Sequence, residues 1–204
     1  MPTHAITVGN EIPVKLNLIG LAPDALAEFF EGIGEKPYRS KQVMGWLYQR
    51  GALSFHDMTD ISLRLRQRLE LIATLSVPKV IRIEDSADGT RKWLLDVGAG
   101  QVVETVFIPE PNRNTLCISS QAGCVLDCAF CATGQQGFNR NLSAAEIISQ
   151  VLIVKQALGP DVVLSNVVFM GMGEPLANYR NVVPVAKLLV NNNAFGLSRR
   201  RVTI

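Results

Sequence analysis

The residues best equipped for chemistry are three thiols in the run Cys124-Val-Leu-Asp-Cys128-Ala-Phe-Cys131. Spacings of four and three residues let three thiolates converge from one tight loop onto a single metal centre. The count matters, because three cysteines on a four-iron cluster leave one iron without a protein ligand, and substrate chemistry at a metal needs such an open position. Cys117, seven residues upstream, is a possible fourth ligand if its side chain points the same way. A closed zinc site built from all four is the structural alternative, although zinc ribbons usually pair CxxC knuckles across a longer insert. The second signal is Gly171-Met-Gly-Glu-Pro175. Its glycines let a ligand approach the backbone, and the Glu174 carboxylate is suited to accept hydrogen bonds from an ammonium group.

Both signals need elements to carry them. Pro23 and Asp24 open an apolar-periodic helix closed by Gly32 and Gly34; Ser40 is read as the cap of a second, with Val43, Trp46 and Leu47 on one face. Thr59 or Ser62 caps a third, whose apolar positions run from Leu63 to Leu75 before Pro78. The period then falls to two. Val80 to Glu84 and Arg91 to Val97 are predicted strands around an Asp88-Gly89 turn, Val102 to Ile108 is another, and Pro109 to Asn114 is a turn-rich connector. Beyond it strands and helices alternate: Thr115 to Ser119, Ser143 to Ala157, Val162 to Met170, Tyr179 to Asn192, Arg201 to Ile204. That order predicts parallel βα units, and it places each chemical signal just past a strand, where ligands bind in parallel architectures. A strand that ends at the last residue leaves about three parallel strands, and a C-terminally truncated piece of a longer protein is expected.

Composition bounds the function class. With 204 residues, 48% hydrophobic and 19% charged, the chain has the makings of a real core and not of a disordered tail. No run is long and apolar enough for a membrane span, and Met1 to Pro23 lacks the basic start and apolar block of a signal peptide, so a cytoplasmic protein is expected. Four cysteines in that compartment read as ligands or reagents. The net charge of +2 is too small to argue for nucleic acid, yet Lys36 to Arg82 holds nine basic residues against three acids. That block could track a phosphate backbone, and an ordinary solvated helix face accounts for it equally.

The cysteine pattern, with Phe130 between the last two cysteines, resembles the CxxxCxxC signature of the radical S-adenosylmethionine enzymes. Gly171 to Pro175 resembles the Gly-Gly-Glu-type motif of the same superfamily. Thr115 to Cys124, Gln135 to Leu142, Phe169 to Leu176 and Leu197 to Thr203 together resemble the bacterial dual-specificity RNA methyltransferases that methylate C2 of adenine. The resemblance covers most of residues 91 to 204 and extends more loosely through the N-terminal region.

The resemblance implies an α/β fold: a partial (βα)6 radical S-adenosylmethionine barrel over residues 111–204, preceded by a helical RNA-binding accessory domain over 1–76 and a β-hairpin bridge over 77–110. It implies a [4Fe-4S] cluster on Cys124, Cys128 and Cys131, and S-adenosylmethionine held by Phe130, Gly173 and Glu174. Cys117 would be the base that resolves the intermediate by disulfide formation, and Glu104 matches an acidic position near the active site. The methyl-carrier cysteine would lie beyond residue 204, so no methyl transfer is expected from this chain alone. The reaction it implies is radical, because C2 of adenine is too electron-poor for polar attack on a sulfonium methyl. Implied partners are 23S rRNA, tRNA and an electron donor such as flavodoxin, with a monomeric protein and no membrane. Arg199, Arg200 and Arg201 could meet phosphates, and Trp46, Tyr48 and Trp93 could stack on bases. Two alternatives stay open: an adenine-C8 rRNA methyltransferase, and a zinc-stabilised RNA-binding module without catalysis.

Overall fold

The computed structural model describes residues 15–204, so the reading of Met1 to Val14 as free of a signal peptide lies outside the described residues. The chain starts with β1 (Leu16–Asn17), then α1 (Pro23–Gly32), α2 (Tyr38–Met44) continuing through a π turn at Gly45–Gln49, and α3 (Leu63–Ile72). β2 (Ala73–Thr74) returns parallel to β1. Pro23 begins α1 because its fixed φ and missing N–H cost nothing in a first turn. Ser62 caps α3, its side chain accepting from the Leu65 N–H. Ser40 is not a cap: it sits inside α2, buried, with its hydroxyl donating to the Pro37 carbonyl.

Six strands form one mixed sheet in the order β10 (Val202–Thr203), β9 (Asn166–Val168), β6 (Arg113–Cys117), β5 (Val102–Glu110), β4 (Arg91–Asp96), β3 (Lys79–Asp85). The β3–β4 turn is the expected one, with Gly89 at φ +85° and the Asp88 carboxylate accepting from the Thr90 N–H. The connector after β5 is tighter than expected. Strand β5 runs on to Glu110 and pairs antiparallel with β6, Pro109 facing Asn114, so the hairpin strands and the parallel strands share one ladder. The parallel part is β6–β9–β10. The strand predicted from Val162 shrinks to three residues, Val163 and Ser165 instead making their hydrogen bonds with Asn114.

Register sorts the two sheet faces. Leu95 faces Val103, Trp93 faces Thr105, and Phe107, Leu116 and Val167 align; all are buried on one side. Against that side lies α5 (Ala144–Leu158), opened by a capping box in which Ser143 and Glu146 satisfy each other's backbone N–H. Every residue from Ile147 to Val154 is buried. The other flank of α5 meets the N-terminal helices: the Gly20 backbone packs on Ala144 and Ala145 so closely that any Cβ would clash, Lys155 donates to the Tyr48 and Gln49 carbonyls, and Gln156 to that of Gly51. Helix α6 (Tyr179–Val190) packs beside α5, and one hydrophobic core runs through all of these elements. Among the described residues no helix is long and apolar enough to cross a membrane.

Candidate active site

Two loops leave the C-terminal edge of the parallel strands. The first follows β6: β7 (Gln121–Gly123) and β8 (Phe138–Asn141) pair antiparallel, and the chain between them, which includes the short α4 (Ala132–Gln135), carries Cys124, Cys128 and Cys131. Gly123 closes the neck. Its φ is +73°, and a Cβ there would overlap the Gly137 carbonyl oxygen, the same oxygen that accepts from the Cys124 N–H. Beyond the neck the loop is open to solvent, with Val125 and Leu126 exposed and Phe130 at 93% exposure. Backbone N–H groups of Gly134 and Thr133 at the start of α4 hold the Cys131 thiol below its ordinary range.

The second loop follows β9. Gly171 donates to the Ile118 carbonyl, Met172 donates to the Ser119 hydroxyl and accepts from the Ser120 and Gln121 N–H groups, and Glu174 donates to the Gln121 side-chain carbonyl. Gly173, at φ +95°, has no room for a Cβ against Gln121. The Glu174 carboxylate caps the following turn by accepting from Leu176 N–H at 2.9 Å, which uses one oxygen and leaves acceptor capacity.

Cys117 and Glu104 lie on the sheet face away from α5. Lys92, Val106, Cys117 and Val168 form one row across the sheet; Glu104 precedes Val106 by two residues and so is the diagonal neighbour of Cys117. Lys92 bridges Glu104 at 3.2 Å and Glu84 at 3.0 Å. Burial pushes the Cys117 thiol up, and a hydrogen bond from the Met170 backbone offsets part of that. All four cysteines are free thiols. Cys117 thus belongs to the strand face and to Met170, apart from the loop that carries the other three, which is poor geometry for a four-sulfur zinc site.

Among the described residues no group of three His, Cys, Asp or Glu side chains is gathered tightly enough for one metal ion. An iron–sulfur cluster asks for less convergence, since each thiolate binds its own iron. The donor set fits such a cluster: three soft thiols on one accessible loop and a fourth cysteine held elsewhere.

Sequence reasoning missed the side chains that hold these loops. Gln150, in the middle of the apolar run of α5, accepts from the Ser119 N–H at 2.8 Å and from the Thr105 hydroxyl, and donates to the Ser119 carbonyl. The Ser119 hydroxyl donates to the Glu104 carbonyl and receives Met172 N–H. Asn178 donates to the Ser120 and Leu142 carbonyls. Their signal was present: amides and hydroxyls placed where the pattern demands apolar residues are buried polar groups that must have partners.

The expected RNA contacts fare unevenly. Tyr48 and Trp93 are fully buried and cannot stack on a base. Trp46 is only partly buried, donating to Asp60 and stacked under Arg50 at 3.9 Å. Arg199, Arg200 and Arg201 form an exposed 3-10 turn and not a strand, because Ser198 and the Arg201 N–H close a turn ahead of β10; Arg201 also reaches Asn166.

Residues 16–75 match the family described as Ribosomal RNA large subunit methyltransferase N-terminal domain. The chain is 51% identical over 195 residues to Dual-specificity RNA methyltransferase RlmN of Francisella tularensis subsp. novicida (strain U112), an alignment covering 93% of this chain and 52% of that protein. Its fold superposes with a TM-score of 0.84 and 34% identity on the crystal structure of a radical SAM methyltransferase from Sphaerobacter thermophilus, covering 92% of this chain and 55% of that one. The chain spans about half the length of the relatives it matches. Over the part they share, the chain is similar in sequence and in fold to these radical SAM and RNA methyltransferases.

Proposed function

We propose that this chain carries the cluster- and cofactor-binding part of a radical S-adenosylmethionine methyltransferase acting on C2 of adenine in 23S rRNA and tRNA. The observation that carries the reading is the juxtaposition of an exposed three-thiol loop and a glycine-carboxylate loop at one strand edge, with Cys117 and Glu104 on the adjoining open sheet face. Cys124, Cys128 and Cys131 would hold a [4Fe-4S] cluster, and Glu174 with the backbone of Gly173 would receive the amino group of S-adenosylmethionine beside Phe130. Bound together, cluster and cofactor supply one-electron cleavage of a sulfonium, chemistry that no side chain offers.

The chain's own groups then have separable tasks. Glu104 is oriented by Lys92 at 3.2 Å, with acceptor capacity left for an amino group of a base on the open face. Cys117 would take a proton at Sγ as the thiolate, and the burial that pushes its thiol up makes that thiolate a correspondingly stronger base. Its later disulfide would need a second cysteine that is not among these four, since the other three are committed to the loop. The basic block from Lys36 to Arg82 would meet the RNA phosphates, with flavodoxin or a similar protein as electron donor, in a monomeric cytoplasmic enzyme.

Anaerobic reconstitution with iron and sulfide tests this directly. The expected result is near-stoichiometric cluster on the chain, with an EPR signal that changes on adding S-adenosylmethionine. A protein that takes up zinc in preference to iron and sulfide, or a cluster indifferent to S-adenosylmethionine, would sink the reading. Nucleosides of RNA from the organism with and without the gene separate 2-methyladenosine from the 8-methyl product of the C8 alternative.

A further inference from the structure

We infer that Gln121 is a positioning residue that couples the cysteine loop to the glycine-carboxylate loop, so that the two halves of the site keep one geometry. Its side chain is 1% exposed and sits between the loops. One carbonyl oxygen, Oε1, accepts two backbone N–H groups: that of Glu174 at 2.9 Å and that of Val125, the residue after Cys124, at 3.3 Å. Its Nε2 donates to Asn141 Oδ1 at 2.8 Å, on the strand that closes the cysteine loop. Three separate segments thus meet at a single carboxamide.

The packing around it is built for this side chain. Gly173 has no Cβ, and the space is filled by Gln121 Cβ and Cγ, so the stem of the glutamine lies against the glycine loop while its head holds the loop's backbone. The Gln121 backbone N–H also donates to the Met172 carbonyl at 3.2 Å. A shift of either loop must move the shared acceptor or break one of its bonds. Glutamine suits the task because its oxygen accepts twice while its nitrogen anchors the head, which no hydroxyl could do at this reach.

The test is a pair of variants on the 204-residue chain. Gln121→Leu keeps the size and removes the acceptor, leaving two N–H groups orphaned. Gln121→Glu keeps both acceptor contacts, with the Asn141 amide free to turn its NH2 toward the carboxylate. Hydrogen exchange on the metal-free chain is the first readout. In Gln121→Leu, residues 124–128 and 172–176 should exchange faster together, by about tenfold for two lost bonds that each oppose opening. Residues 102–117 should be unchanged, and Gln121→Glu should restore both segments. Faster exchange in one loop only, or uniformly across the sheet, overturns the coupling.

The second readout rests on the functional reading above: after reconstitution, Gln121→Leu should keep its iron and sulfide while its affinity for S-adenosylmethionine falls about tenfold. Unchanged affinity overturns the positioning role. If the unmodified chain takes up no cluster, it is the functional reading that fails, and the coupling stands or falls on hydrogen exchange.

Discussion

The cysteine loop and the glycine-carboxylate loop leave neighbouring strands at the same edge of one sheet, yet they are held by different means. The glycine loop is pinned along its length: Gly171 to Ile118, Met172 to Ser119, Ser120 and Gln121, Glu174 to Gln121. The cysteine loop is fixed at its neck and otherwise makes short-range turns, among them Cys131 N–H to Cys128 O and Gln135 N–H to Cys131 O. Its apolar side chains point into water. On the function proposed above the difference has a use: a loop that would receive an organic cofactor by its backbone profits from being preformed, whereas one that would wrap an inorganic cluster can take its final shape from the thiolate bonds.

The comparison is most easily broken at the neck. Gly123→Ala combines a forbidden Cβ with a left-handed φ, and should cost about 3–4 kcal/mol in urea denaturation. Gly137→Ala, also at positive φ but with open space around it, should cost only about 1–2 kcal/mol. Equal losses would mean that the neck is not a tight crossing.

Gln150→Leu reaches the pinned loop from below. It leaves the Ser119 N–H and carbonyl and the Thr105 hydroxyl without partners, and should cost about 2–3 kcal/mol while raising hydrogen exchange in residues 171–174. If residues 124–131 respond instead, the division of labour between the loops is wrong.

Glu146 ties β8 to α5 through Arg140 at 2.7 Å. Burial pushes its carboxyl up, but hydrogen bonds from Arg140 and Ser143 outweigh that and hold it below the usual carboxylate range. A lowered folded pKa contributes stability above the ordinary carboxylate range and loses it as pH falls through the lowered value. Glu146→Gln should therefore cost about 1 kcal/mol at neutral pH, and the gap to the unmodified chain should close in acid. A gap independent of pH would assign the effect to shape and not to charge.

The smallest effect is expected at the loop tip. Phe130→Ala should alter the stability of the metal-free chain by no more than about 0.5 kcal/mol, because the ring is almost wholly exposed. A larger loss in thermal or urea melts would show that the loop is packed before any ligand arrives.

The sequence made some of this legible and hid the rest, for physical reasons that differ by element. Alternation placed the strands of the β3–β4 hairpin and of β5, Asp88-Gly89 placed their turn, and the Ser143/Glu146 pair placed the start of α5, since each is a local signal that tertiary packing had no cause to override. The β5–β6 hairpin was missed because Pro109 and Asn114 look like linker residues, although the ladder continues through both. Ser40 looked like a cap and proved to be interior, since a buried hydroxyl can spend its proton on a carbonyl three residues back. The thiols and glycines of the candidate site stood out by spacing. The amides of Gln121, Gln150 and Asn178 did not, because what marks them is the set of distant backbone groups they serve, which only the folded chain brings near.

Helix α5 is enclosed on both flanks, with the sheet on one and the N-terminal helices on the other, and the Gly20 backbone touches it without an intervening side chain. Such a helix has no stable place once either covering is removed. Calorimetry of the chain should then record a single heat-absorption peak whose van't Hoff enthalpy matches the total heat, the thermodynamic mark of parts that cannot melt separately.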